Sequence, residues 1–266
     1  MQERDYAIIS SYELKSELDS QPEPDIRLKS GMPTLDKAVD GFRPGELVVI
    51  SGPTKHGKTL LAQSLTASFA EQNQLALWFS YEVPPRQFLS SFPELPLFYI
   101  PRQLKANALD WLVLKCRESF SKYHTRVVFI DHLHYLFDMA RARTPSIEIG
   151  TVIRKLKTMA VQSELVVFLL CHTRKGGTEK MSYESIRDSS FVSQESDCVM
   201  MICRNVKTPG SNESRLRIEF HRRTGVLNKT VDLVKVGGYL REETKVDEES
   251  SMVSDAGRVE KLSVKQ

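Results

Sequence analysis

Apolar runs of strand length recur through the middle of the chain: Leu47 to Ile50, Leu75 to Phe79, Phe98 to Ile100, Val127 to Ile130 and Leu165 to Leu170. They are continuous rather than alternating and rich in Val, Ile, Leu and Phe, the pattern of strands buried on both faces of a parallel sheet. Between them lie stretches with helical spacing. Gly57 to Glu71 is one; Ala108 to Tyr123 sets Leu112 and Cys116 at i and i+4; Ile147 to Gln162 sets Ile153, Leu156 and Met159 three apart. Strands alternating with helices predict an α/β fold, a doubly wound and mainly parallel sheet with right-handed crossovers. After residue 197 the alternation stops. Asp197 to Arg204, Arg215 to Phe220 and Lys229 to Lys235 follow one another with no helical stretch between, which predicts antiparallel strands at the C-terminal side of the sheet.

The ends of the chain read differently from its middle. Residues 8 to 19 can form a short helix, and Gln21 to Asp25, with two prolines, form a linker that the helix cannot cross. The last ~25 residues are polar and poor in aromatics, the composition of a disordered tail. Three parts are therefore expected: a helix and linker over 1–27, one α/β domain over 28–241, and a tail over 242–266. A chain of 266 residues suits one large domain, because single cores stop growing at roughly 250–300 residues. Apolar residues at 41% and charged residues at 27% exclude a collagen-like or wholly disordered chain.

Cys116, Cys171, Cys198 and Cys203 form no CxxC pair, so neither a zinc ribbon nor a disulfide framework is indicated. The first 20 residues lack the blocks of a signal peptide, and no stretch approaches the ~20 apolar residues of a membrane helix. A cytoplasmic location is expected, in a host's cytoplasm if a virus or plasmid encodes the chain, with no membrane partner. The formal net charge of +3 leaves any nucleic-acid contact to local placement of Lys and Arg.

One motif changes the picture most. Residues 52 to 59, GPTKHGKT, follow the first apolar run and open a helical stretch, the strand-turn-helix setting that a phosphate-binding P-loop requires. Gly52, Pro53, Thr54, Lys55, His56, Gly57, Lys58, Thr59 and Leu60 would wrap the phosphates of ATP with backbone N–H groups at a helix N-terminus. Lys58 reaches the β- and γ-phosphates and the Thr59 hydroxyl ligates Mg2+. Such a loop needs a carboxylate at the end of a neighbouring strand to hold the magnesium, and Asp131, closing Val127 to Ile130, fills that place. The same segment carries His132 and His134, an HxH pair of metal-binding type, but no Cys, His or carboxylate cluster stands beside it in sequence to complete a site. Glu82, just past the second apolar run, is the candidate base. The chain is thus read as an ATPase of the RecA-like class.

The ordered series GPTKHGKT, FSYEVP, VVFIDHLHYL, VVFLLCHTRK, IRDSSFVSQESDCVMMICR and FHRRTG resembles the motif series of DnaB-type replicative helicases over roughly residues 28 to 241. The approach from Ser30 to Gly45 is similar to that family's as well. The resemblance implies Glu82 as catalytic base, Asp131 as the magnesium-site acid, and His172 at the strand end where the family has a Gln that senses γ-phosphate. His134 likewise replaces a Gln. It also implies Arg223 as a finger supplied in trans to the neighbouring subunit's nucleotide. Arg222 is a close rival, since on a strand the two point to opposite faces. His221 stands where the family has a Lys.

The loop from Arg174 to Ser190 matches the family's central-channel loop, with Arg174, Lys175, Arg187, Asp188, Ser189 and Ser190 as candidate contacts to the backbone of single-stranded DNA. The implied whole is a ring-forming helicase motor, a homo-oligomer of hexamer type using ATP and Mg2+, with primase or a helicase loader as further partners. Two other readings stay open at this point: a RecA- or KaiC-like DNA-stimulated ATPase that acts in recombination or regulation without unwinding, and an assembly or loading factor that uses nucleotide only for switching.

Overall fold

The computed structural model describes residues 8–20, 26–137, 145–172, 189–205 and 211–243. Helix α1 (Ser11–Ser20) realises the first predicted helix and begins in a reciprocal cap: Glu13 N–H donates to Ser10 Oγ at 3.1 Å while Ser10 N–H donates to Glu13 Oε2 at 2.8 Å. It buries none of its residues. The predicted linker and all of the tail after residue 243 lie outside the described residues.

The strands are β1 (Leu47–Gly52), β2 (Ala76–Ser80), β3 (Val127–Asp131), β4 (Val166–His172), β5 (Cys198–Arg204), β6 (Glu213–His221), β7 (Val226–Val236) and β8 (Tyr239–Glu242). They form one eight-stranded sheet in the order β2-β3-β4-β1-β5-β6-β7-β8. Strands β2, β3, β4, β1 and β5 are parallel, and β5 through β8 are antiparallel. The doubly wound parallel sheet with antiparallel C-terminal strands is as the hydrophobic pattern predicts.

Continuous apolar runs occur because each parallel strand has two buried faces. Val48 and Ile50 of β1, Val127 and Phe129 of β3, and Val166 and Phe168 of β4 pack in one core with α2 (Pro33–Val39) and α3 (Lys58–Glu71). The alternate residues, Leu47 and Val49, Val128 and Ile130, Val167 and Leu169, pack in the other core with α5 (Leu109–Tyr123) and α6 (Pro145–Gln162). A stack of Trp78 on Phe129 (centroids 4.6 Å apart) and Phe129 on Phe168 (4.8 Å) ties β2, β3 and β4 on the α3 side.

One predicted strand does not form. Phe98 to Ile100 supplies only a single bridge, Leu77 to Tyr99, with Tyr99 N–H on Ala76 O and Trp78 N–H on Tyr99 O, each at 2.8 Å. Pro96 and Pro101 bracket the run, and their missing N–H groups stop the ladder from lengthening. Three short helices have no predicted counterpart: α2, α4 (Pro85–Ser90) and α7 (Ser189–Glu195).

Candidate functional site

The carboxyl ends of β1, β2, β3 and β4 meet at one edge of the sheet, where open α/β sheets place their ligands. Here β1 turns into the P-loop. At Gly52 (φ 152°) a Cβ would sit 2.2 Å from the carbonyl oxygen of Ile202 on β5, so only glycine lets the chain leave the sheet at this point. Gly57 (φ 98°) then caps α3, and the helix N-terminus faces the loop.

Lys58 is buried, and its ammonium donates to the carbonyls of Gly52 at 2.8 Å and Pro53 at 3.0 Å. Burial holds its pKa below the usual lysine value, partly offset by Asp131 and Glu82. Thr59 Oγ1 donates to Asp131 Oδ2 at 2.8 Å. Burial pushes the Asp131 carboxyl up to about 6; the Thr59 bond and Lys58 oppose this, and Glu82 adds to it. The Thr59–Asp131 pair is the set of oxygens that would hold Mg2+ beside the phosphates. The residues present fit both ATP and Mg2+.

Glu82 follows β2, and its Oε2 lies 3.8 Å from His172 Nε2 at the end of β4. A single cleft is lined by Thr54, Lys58, Thr59, Glu82 and His172, so the structure brings together residues separated by more than a hundred positions. Burial, then Lys58, lowers the His172 pKa, with Glu82 opposing. His172 is therefore a neutral imidazole at neutral pH, with one N–H to donate. His132 lies against it with ring centroids 4.3 Å apart, and His134 lies 5.1 Å from His132. Burial, then the two other imidazoles and Lys58, brings His132 down to about 3.

Sequence reasoning did not anticipate that His132 joins Glu82 and His172. It also did not anticipate the tether of the P-loop to β5, where Arg204 N–H donates to His56 Nδ1 at 3.2 Å with Cys203 Sγ 3.3 Å from the same nitrogen. No local signal marks either, since both arise from strand pairing.

Arg222 and Arg223 lie in the turn between β6 and β7, not on a strand, so their divergence comes from turn geometry. Arg222 Nη2 donates to the carbonyl of Gln194 at the end of α7. Arg223 Nε donates to Glu46 Oε1 at 2.9 Å, and its Nη2 to the carbonyls of Val39 at 2.8 Å and Gly41 at 2.6 Å. Buried Glu46 also lies 3.3 Å from His221 Nε2 and accepts Arg43 N–H at 2.9 Å. Burial raises the Glu46 pKa, but these partners outweigh it and hold the carboxyl below its ordinary value. The His221 side chain is fully buried against Glu46.

The register places this turn away from the P-loop. His221 pairs with Cys198, and Cys198 pairs with Val48 near the start of β1, whereas Gly52 ends β1. Arg223 therefore stands at the opposite edge of the sheet from its own nucleotide cleft. Arg174, Lys175, Arg187 and Asp188 lie outside the described residues, and Ser189 and Ser190 open α7.

A family model described as DnaB-like helicase C terminal domain matches residues 27–92 and 87–240. The chain is 22% identical over 256 residues to the replicative DNA helicase DnaB of Leifsonia xyli subsp. xyli, covering 80% of this chain and 55% of that protein. It is 24% identical over 215 residues to DnaB of Helicobacter pylori, covering 66% and 44%. It thus spans about half the length of these relatives. Its fold is that of a solved ATPase domain, with a TM-score of 0.73 at 19% identity over 88% of this chain and 97% of that one. A solved DnaB-like replicative helicase, studied with primase, superposes with the same TM-score and identity over 87% of this chain and 66% of that one. With its P-loop, strand-end acid and sheet order in place, the chain belongs to the DnaB-like helicase C-terminal domain family.

Proposed function

We propose that this chain is the motor domain of a ring-forming replicative helicase, which hydrolyses ATP with Mg2+ to move along single-stranded DNA and separate duplex. The observation that carries this reading is the placement of two half-sites on opposite edges of one sheet: Lys58, Thr59, Glu82, Asp131 and His172 on one, Arg223 on the other. In a ring, the Arg223 edge of one subunit faces the P-loop edge of the next. A hexamer closes such a head-to-tail arrangement.

Each residue then has a stated task. The P-loop amides and Lys58 bind the phosphates, and Thr59 with Asp131 holds the magnesium, which supplies charge neutralisation on the phosphate oxygens. Glu82 accepts a proton from the attacking water. His172, a neutral donor, senses the γ-phosphate. Arg223 from the adjoining subunit spreads positive charge onto the developing phosphate charge, which contributes about 10³–10⁵ in rate in well-studied cases.

The DNA contacts are assigned to Arg174, Lys175, Arg187, Asp188, Ser189 and Ser190, the segment leading into α7. Residues 28–241 form the motor, and α1, which has no buried residue, supports a separate role for residues 1–27. Strand β8 takes in Glu242, and Glu243 N–H donates to Asp232 O, so the assigned tail begins after residue 243 and not at the expected 242. Primase or a loader is the expected protein partner. No helix among the described residues is long and apolar enough to cross a membrane.

The test is steady-state ATP hydrolysis with and without single-stranded DNA. Stimulation by DNA, absent in Lys58→Ala, is expected; equal turnover with and without DNA contradicts the motor.

A further inference from the structure

Three adjacent parallel strands each deliver one potential metal ligand to the same point. Glu82 follows β2, His132 follows β3 and His172 ends β4, with the strands held in register by the Ser80–Asp131 and Asp131–Leu170 pairs. Their ligand atoms all lie within 4.8 Å of one another. The HxH spacing suggested His132 with His134, and lacked a third ligand. The fold instead pairs His132 with His172, 40 positions away, and adds a carboxylate from a third strand.

Two features favour a metal over a mere polar cluster. His132 is only 9% exposed, and its Nδ1 is buried with no hydrogen-bond partner among the described residues, while His172 turns Nε2 to within 3.8 Å of Glu82 Oε2. Buried imidazole nitrogens without partners are costly unless something occupies them. Glu82 and His172 have side chains 41% and 23% exposed, so an ion can enter from the cleft.

We propose that Glu82, His132 and His172 form a binding site for one divalent ion of the zinc class, distinct from the Thr59–Asp131 magnesium position. Two imidazoles and one carboxylate with an open fourth position form a known zinc donor set, whereas Mg2+ takes oxygen ligands. Zinc bonds of about 2.0–2.2 Å place tetrahedral ligand atoms about 3.4 Å apart, so the three side chains need close by only about an ångström. The Lys58 ammonium opposes the added charge, but it is tied to the Gly52 and Pro53 carbonyls, and Asp131 stands beside it.

Occupancy has a consequence that rests on the hydrolytic roles given above to Glu82 and His172. The ion engages the carboxylate that accepts the proton and the imidazole that senses phosphate, so it switches hydrolysis off without displacing nucleotide from the P-loop.

Binding is tested first, on tag-free, nucleotide-free protein with millimolar Mg2+ present. Titration with Co2+ should give ligand-field absorption that saturates at one ion per chain and is bleached by Zn2+. His132→Gln and His172→Gln should each weaken Zn2+ binding by more than about 100-fold, above the ~10–100-fold that outer-shell losses cost. His134→Gln should keep it, with circular dichroism showing all three variants folded. No saturable absorption, or equal Zn2+ affinity in the His132→Gln protein, overturns the site. Hydrolysis is tested second: micromolar Zn2+ should inhibit the parent, and whatever rate His132→Gln retains should be insensitive to Zn2+. Inhibition that survives His132→Gln overturns the switch while leaving the hydrolytic reading intact.

Discussion

Thr59 Oγ1 donates a 2.8 Å hydrogen bond to Asp131 Oδ2, joining the first turn of α3 to the end of β3. The pair sits where a magnesium ion would be held, and Asp131 is pushed up to about 6 by burial. The folded chain therefore keeps a proton on Asp131 between pH 3.8 and about 6 that the unfolded chain releases. Ionising Asp131 is a cost to the fold that develops across that window and stays constant above it. Asp131→Asn should thus raise stability at pH 7 by up to about 3 kcal/mol, read from urea unfolding without metal. Magnesium binding in the parent protein should weaken about tenfold from pH 7 to pH 5 by calorimetry, and that slope should vanish in Asp131→Asn.

His132 predicts the opposite slope. Its folded pKa of about 3 lies below the ordinary 6.5, so the unfolded chain takes up a proton that the folded chain refuses. The stability linked to this group is complete above pH 6.5 and is lost as pH falls toward 3. Between pH 7 and pH 5 the parent should lose about 2 kcal/mol more than His132→Asn does in paired denaturant titrations.

Glu82 and Lys58 separate binding from chemistry. Glu82→Gln keeps the side chain's size and should leave ATP affinity within about twofold while cutting turnover by about 10²–10⁴, the range for a general base. Lys58→Ala should lose both. Equilibrium binding of a fluorescent ATP analogue alongside phosphate release measures the two effects.

Gly52→Ala tests the exit of β1. A methyl group 2.2 Å from the Ile202 carbonyl must push β1 from β5 or re-aim the loop. Loss of about 2 kcal/mol or more and at least tenfold weaker nucleotide binding are expected. Unchanged unfolding and binding would show that the chain leaves the sheet along another path.

Much of this architecture is legible in the sequence because strands buried on both faces must be continuously apolar. Val127 to Ile130 and Leu165 to Leu170 are examples, and the strand-end position of Asp131 follows from the first. Phe98 to Ile100 misled, since its composition is that of a strand while its flanking prolines permit only one bridge. Strand β8 had a signal that was passed over: Gly237 and Gly238 between Val236 and Tyr239 make a two-residue hairpin turn. The meeting of Glu82, His132 and His172 could not be read locally, because it depends on the order β2-β3-β4, which no spacing encodes. The same holds for Arg223 with Glu46, 177 positions apart.

The central claim is that one active site is shared between two chains, and mixed subunits test it most directly. Arg223→Ala removes one of several partners of Glu46, so the subunit should fold but hydrolyse little ATP, and Glu82→Ala should be inactive for a different reason. Mixing the two should restore part of the DNA-stimulated hydrolysis, at interfaces where an intact Glu82 meets an intact Arg223. A mixture no more active than either variant alone, with both shown to co-assemble, would contradict the shared site.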